Sequence, residues 1–165
     1  KEDLVQAGMG VVDLGAAPGG WSQVVSQRMG GDGLVIAVDL LEMSELPAVK
    51  VIRGDFGEQE TLDVIESELT NRAVDLVISD MAPNISGVKS LDQARWLNLA
   101  ELALEFAQNY VRRGGGIVIK CFEGEGSQIF FESVKSVFRK VQRRKQKASR
   151  DRCRELFIVG LNNID

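Results

Sequence analysis

The sequence predicts an α/β fold: a mostly parallel, seven-stranded sheet with helices on both faces and an antiparallel hairpin at its C-terminal edge. Three observations carry this. Strand-like apolar runs alternate with helix-like stretches through most of the chain. The strand-like runs are continuously apolar, as strands covered on both faces are. The last two have no helix between them, so they pair antiparallel. At 165 residues the chain fits a single domain, residues 1–165.

Each element has its own signal. Val11 to Leu14 reads as a buried strand, and Trp21 to Met29 as a short helix stopped by Gly30-Gly31. Leu34 to Val38 is a second strand ending at Asp39, and Val49 to Ile52 a third, followed by Gly54-Asp55-Phe56. From Glu58 to Leu69 the spacing predicts a helix. Leu62, Ile65 and Leu69 share one face, and acids in the first turn complement the helix dipole. Val74 to Ile78 is the fourth strand, closed by "SDMAPN". A longer helix from Leu91 to Tyr110 sets Trp96, Leu99, Ala103, Phe106 and Tyr110 at helical spacing, and "RRGGG" stops it. Gly116 to Lys120 is the fifth strand. Ser127 is placed to N-cap a helix whose apolar face is Phe131, Val134 and Phe138. Lys140 to Lys145 and Glu155 to Val159 form the final pair, joined by a basic loop.

Composition narrows the chemistry. With 44% hydrophobic and 27% charged residues the chain belongs with ordinary globular proteins rather than disordered or fibrous ones. No apolar run approaches the ~20 residues that span a bilayer. The opening "KEDLVQAGMG" is neither a signal nor a transit peptide, and without an initiator Met it suggests a trimmed or processed N-terminus. Cys121 and Cys153 stand far apart, each without a CxxC partner, which fits reduced thiols in the cytoplasm. Histidine is absent. That removes Ser-His-Asp and Cys-His catalysis and the commonest zinc and iron ligand sets, so no metal is expected. Net charge is −4, yet 13 of the 20 basic residues fall between Arg112 and Arg154, nine of them from Arg139 onward. Such asymmetry marks a side that faces a polyanion.

The densest motif is "VVDLGAAPGGWSQVV", Val11 to Val25, with three glycines and a proline within six residues after the first strand. A glycine-rich turn there lets the backbone approach a ligand at the edge where such sheets bind nucleotides. Its spacing, Gly15, Gly19 and Gly20, matches neither G-x-G-x-x-G nor a P-loop, so a diphosphate cofactor is disfavoured and a nicotinamide oxidoreductase with it. The second strand ends in Asp39, about twenty residues on, where an acid accepts hydrogen bonds from ribose hydroxyls. Asp55 follows the third strand and Asp80 the fourth. With Asp13, four acids arrive at one sheet edge and would repel each other without a ligand or cations. A nucleoside carrying a positive centre suits them, and S-adenosylmethionine is such a ligand.

Together "DLGAAPGGWSQ", "SDMAPN", "VIKCFEGEG" and "SRDRCRELFIV" closely resemble the FtsJ (RrmJ, RlmE) family of RNA ribose 2′-O-methyltransferases, most of all its bacterial members acting on large-subunit ribosomal RNA. The resemblance spans essentially the whole chain in order. It implies a Rossmann-like S-adenosylmethionine-dependent methyltransferase fold. It also implies S-adenosylmethionine contacts from Gly15, Gly19, Gly20, Trp21, Asp39, Leu40, Asp55, Phe56 and Asp80. Of the family's Lys-Asp-Lys-Glu catalytic set, three members fall on Asp80, Lys120 and Glu155. The first lysine falls a few residues upstream of Lys1. The implied partner is ribosomal RNA within the large subunit, with a uridine as acceptor, for a monomeric enzyme.

The residues make chemical sense on their own terms. Methyl transfer from a sulfonium is an in-line displacement, so the protein must position a hydroxyl and manage its proton. Asp80 and Lys120 end adjacent strands and point into one cleft. Burial favours a neutral Lys120 that takes a proton, whereas neighbouring carboxylates favour an ammonium that orients the acceptor; both roles stay open. Arg139, Lys140, Arg143, Arg144, Lys145, Lys147, Arg150, Arg152 and Arg154 supply phosphate contacts, which give affinity rather than target choice. An RNA-binding module with an incomplete catalytic site is the second reading. Trp96 and Tyr110 read as core rather than base-stacking platforms.

Overall fold

Strands and helices alternate along the computed structural model of the chain, which describes residues 3–145 and 155–164. In chain order they are β1 (Gly10–Leu14), α1 (Gly20–Met29), β2 (Leu34–Asp39), β3 (Val49–Arg53), α2 (Gln59–Leu69), β4 (Val74–Ser79), α3 (Lys89–Tyr110), β5 (Val111–Phe122), α4 (Ser127–Val137), β6 (Phe138–Arg144) and β7 (Glu155–Asn163). The strands form one mixed sheet in the order β3-β2-β1-β4-β5-β7-β6. The chain divides into two compact units, Lys1–Ile78 and Ser79–Asp165.

In the first unit β1 runs parallel to β2 and β2 to β3, with Val11 opposite Val35 and Val35 opposite Val49. Every residue of β1 is buried, and so are Val35 to Val38 of β2. Continuous burial explains why these strands read as unbroken apolar runs rather than alternating ones. The edge strand β3 buries only Ile52 fully. Helices α1 and α2 pack on β2 and β3. α2 buries Thr61, Ile65 and Leu69, one residue per turn, while Leu62 is half-buried. Ile65 is fully covered, which contributes roughly 1.5–3 kcal/mol of apolar burial. α1 instead buries two serines beside Val25 and Met29, and each serine is bonded: Ser22 Oγ donates to Asp13 Oδ2 at 2.7 Å and Ser26 Oγ to the Pro47 carbonyl at 3.2 Å. Satisfying these hydroxyls removes the penalty of burying them.

In the second unit β7 lies between β5 and β6, antiparallel to both. The antiparallel C-terminal pair therefore forms as the sequence predicts, with β6 outermost. α3 packs on β5, and α4 on β6 and β7. The two helices meet where the Trp96 ring stands edge-on to Phe130, centroids 5.6 Å apart.

Four local expectations are corrected. "RRGGG" is not a separating turn, because strand β5 begins at Val111, directly after the helix. The Val111 amide closes the last helical turn on Ala107 while its carbonyl accepts from Asn163 Nδ2 at 2.7 Å, which fixes the extended chain from that point. α4 turns Phe130, Val134 and Val137 inward, not Phe131 and Phe138. Phe138 is buried as the first residue of β6, and Phe131 carries the Arg143 guanidinium 4.3 Å above its ring. Ser127 is the first helical residue rather than the cap, and its Oγ donates back to the Gly124 carbonyl at 2.8 Å. Leu99 and Tyr110 are half-buried, the latter stacked on Phe106 with centroids 4.5 Å apart.

Candidate functional site

In the first unit the three parallel strands bring their C-terminal ends to one edge, and eight of the sequence-predicted residues gather there. The loop after β1 is tied to the end of β2: the amides of Gly15 and Ala16 donate to the Val38 carbonyl at 2.9 and 3.1 Å. Asp39 adds a third tie. Its Oδ2 accepts the Ala17 amide at 2.9 Å and its Oδ1 the Leu41 amide at 2.8 Å. Gly19 sits at φ 110°, a conformation that calls for glycine, while a Cβ there would only have to push aside the end of the Leu46 side chain, 2.7 Å away. At Gly20, the first residue of α1, a Cβ would meet nothing within 4 Å. Trp21, next in α1, and Leu40, just after β2, are exposed, 36% and 64%. Asp55 is exposed after β3, its Oδ1 accepting the Gly57 amide at 2.9 Å, and Phe56 is half-buried. A carboxylate offers about four lone-pair positions. Asp39, with two taken by backbone amides, retains acceptor capacity for a vicinal diol. The hydroxyls of a nucleoside fit this set of acceptors.

Asp13 departs from the expected acidic edge. It lies inside β1, buried, and accepts from Ser22 of α1, so it anchors that helix instead of reaching a ligand.

In the second unit Asp80 follows β4 immediately and Lys120 stands near the end of β5. Their side chains meet, Lys120 Nζ to Asp80 Oδ1 at 2.9 Å, with Lys120 only 16% and Asp80 29% exposed. Partial burial makes this pair stronger than a surface salt bridge. Glu155 opens β7 opposite Phe122, and Phe157 is opposite Lys120. Paired residues share a face and so do residues two apart, so Lys120, Phe122, Glu155 and Phe157 line one side of the β5–β7 ladder. All three sequence-predicted catalytic residues thus belong to this unit.

Two further residues hold this end of β5. Trp96 donates its indole N–H to the Lys120 carbonyl at 2.9 Å. One turn earlier, Gln93 Nε2 donates to the carbonyls of Phe122 at 3.1 Å and Glu123 at 3.4 Å. A Cβ at Gly124 would run into the Gln93 side-chain amide, so the glycine makes room for it. Sequence reasoning placed Trp96 in the core, where it is, but missed its bond, and it missed Gln93 altogether. The available signal was a polar residue one turn before a buried tryptophan, together with a glycine just after a strand.

Between the β4–α3 and β5–α4 loops opens a cleft of about 730 Å³ lined by Pro83, Ile85, Lys89, Gln93, Phe122 and Glu123 among others. At its rim Asp92 accepts the Ser86 amide and hydroxyl at 2.8 and 2.7 Å and the Gly87 amide at 3.2 Å. Those bonds, Ser86 first, hold its carboxyl below the usual range. Next to Lys120, Cys121 is buried, and burial pushes its thiol up to about 12; Glu123 adds to this and Arg143 opposes it. It is no nucleophile.

The basic run divides. On β6 the strand alternation sends Arg139 and Arg143 to one face and Lys140 and Arg144 to the other. Arg143 is engaged by Phe131 and by Gln128 Oε1 at 2.6 Å. Lys145 Nζ lies 3.9 Å from Glu123 Oε2. Lys147, Arg150, Arg152 and Arg154, like Cys153, lie outside the described residues. Among the described residues no three His, Cys, Asp or Glu side chains are grouped to hold a metal ion, and no helix is long and apolar enough to cross a membrane.

Comparison with known proteins bears on both halves. A family model described as FtsJ-like methyltransferase matches residues 1–163. The chain is 51% identical over 161 residues to a ribosomal RNA large subunit methyltransferase E of Methylobacillus flagellatus, covering 98% of this chain and 78% of that protein. It is 45% identical over 165 residues to the protein of the same name from Nitrosospira multiformis, covering 100% and 80%. Among solved structures, a putative ribosomal RNA methyltransferase from Plasmodium falciparum superposes with a TM-score of 0.85 at 25% identity, covering 95% of this chain and 87% of that one. Human methyltransferase-like protein 13, solved in complex with SAH, shares the fold, with a TM-score of 0.67 at 12% identity over 95% and 73% of the two chains.

Proposed function

Since the chain belongs to the FtsJ-like methyltransferase family, we propose that it moves the methyl group of S-adenosylmethionine to the 2′-hydroxyl of a uridine ribose in large-subunit ribosomal RNA. It does so as a single, monomeric methyltransferase domain. The observation that carries the reading is the half-buried Lys120–Asp80 pair, 2.9 Å apart, with Glu155 on the same face of the β5–β7 ladder.

S-adenosylmethionine supplies an electrophilic methyl on a good leaving group. Asp39 would accept its ribose hydroxyls, and the Gly15 to Gly20 loop would give its methionine end close approach to backbone amides. Trp21 and Leu40 would add apolar contact, Asp55 would accept from the adenine amine, and Phe56 would pack on the base. The remaining task is to hold the acceptor oxygen in line and let its proton go. Lys120, fixed through its side chain by Asp80 and through its carbonyl by Trp96, presents an ammonium to that oxygen. Asp80 and Glu155 carry the balancing negative charge; alkylation makes the acceptor oxygen strongly acidic, and its proton passes to solvent water. Arg139, Lys140, Arg143, Arg144 and Lys145, with the basic residues up to Arg154, hold the RNA backbone.

Lys120→Ala tests the assignment. Methyl transfer to ribosomal RNA or assembled subunits is expected to fall by about 10²- to 10⁴-fold. The Kd for S-adenosylmethionine, measured by calorimetry, should stay within about twofold. Undiminished turnover overturns the reading. A wild-type chain that binds RNA but transfers no methyl group supports a binding module instead.

A further inference from the structure

We propose that the cleft between the β4–α3 and β5–α4 loops is the seat of the acceptor nucleotide's base, turned out of its stack. This rests on the RNA-methylation reading above. The cleft lies within the second unit and adjoins its ion pair along the chain. Pro83 is three residues beyond Asp80, and Phe122 shares the β5 face with Lys120, two residues on. A group seated against Phe122 therefore brings its attached sugar towards Lys120.

Size and charge select the occupant. About 730 Å³ holds a nucleotide with room to spare. Pro83, Ile85 and Phe122 supply an apolar wall, with Ile85 71% and neighbouring Val88 55% exposed. Of the charged lining residues three are acidic, Asp92, Glu123 and Glu125, against the single cation Lys89. A phosphate would be repelled, whereas a neutral ring is not. Aromatic and apolar contact of this kind captures bases of unstacked RNA. A cation for the backbone stands at the cleft wall, where Lys145 Nζ lies 3.9 Å from Glu123 Oε2. An anionic strand thus tracks the rim while its base enters the acidic, apolar interior. Gln93, bonded to the carbonyls of Phe122 and Glu123, is the positioning residue that keeps this wall in place.

The test is photo-crosslinking. A ribosomal RNA fragment with 4-thiouridine at the methylated position is irradiated with the wild-type protein, and the attached peptide is mapped by mass spectrometry. Attachment within residues 83–93 or 122–125 is expected. Ile85→Asp, at an exposed position that leaves folding intact, and Phe122→Ala should raise KM for RNA by about 5–150-fold, the loss of one stacked base. S-adenosylmethionine affinity should not change. Crosslinks elsewhere, from a protein that does methylate the fragment, overturn the cleft assignment alone. Absence of methyl transfer to any ribosomal RNA by the wild type overturns the functional reading and this proposal with it.

Discussion

Asp39 shows how one side chain serves structure and ligand together, because the carboxylate that would meet a ribose also binds the Ala17 and Leu41 amides. Its place was legible in the sequence, since an apolar run of set length fixes which residue emerges at the strand end. The same holds for Lys120 and Asp80. Trp96's bond to the Lys120 carbonyl was not legible, because it depends on the rotation of α3 against β5, a tertiary quantity. Asp13 was misplaced for a related reason: strand periodicity could not say that α1 would cover it with Ser22. Cys121 gives a prediction at this scale. Burial lifts its thiol from 9.0 to about 12, so between those values the unfolded chain releases a proton that the native chain keeps. Native stability is therefore unaffected by this group below pH 9.0 and declines as pH rises from there to about 12. At pH 8 Cys121 should react with iodoacetamide about a thousandfold more slowly in the native protein than in denaturant, read by peptide mapping. Equal labelling in both would contradict its burial.

Where an element ends matters as much as where it lies. The C-terminal end of β5 is held by two donors from α3, one turn apart, and the glycine at 124 leaves space for the Gln93 amide. Gly124→Ala should push that amide out and release two carbonyls, destabilising by about 1–2 kcal/mol, with a clear rise in KM for RNA. Adding Gln93→Ala to it should cost little more, since the clamp is already lost. Strict additivity in denaturant unfolding would count against the clamp. Helix α4 shows why such detail escapes the sequence. Phe130 and Phe131 are adjacent, so the apolar stripe can be drawn through either. Trp96 decides it by meeting the edge of Phe130, and Arg143 then covers Phe131.

Across the whole molecule the net charge of −4 conceals a basic C-terminal third. The sequence made that asymmetry plain, but not its arrangement on β6, where alternation divides the cations between two faces. RNA affinity should consequently weaken steeply with salt, and Arg139→Gln with Lys140→Gln should lower the slope of log K against log salt by about 0.7 for each phosphate contact removed. An unchanged slope would place the RNA elsewhere. The junction at Tyr110 and Val111, where helix passes into strand with no residue between, has its own consequence for the chain. One residue inserted there must be absorbed upstream, turning the helix by about 100°, or downstream, inverting every side chain of β5. The first swings Gln93 and Trp96 off the strand, and the second exchanges Lys120 for the face of Cys121. A point where chain length cannot drift by even one residue ties the ends of the long helix and the long strand into a single gauge. An insertion there is expected to cost far more than one in an exposed loop.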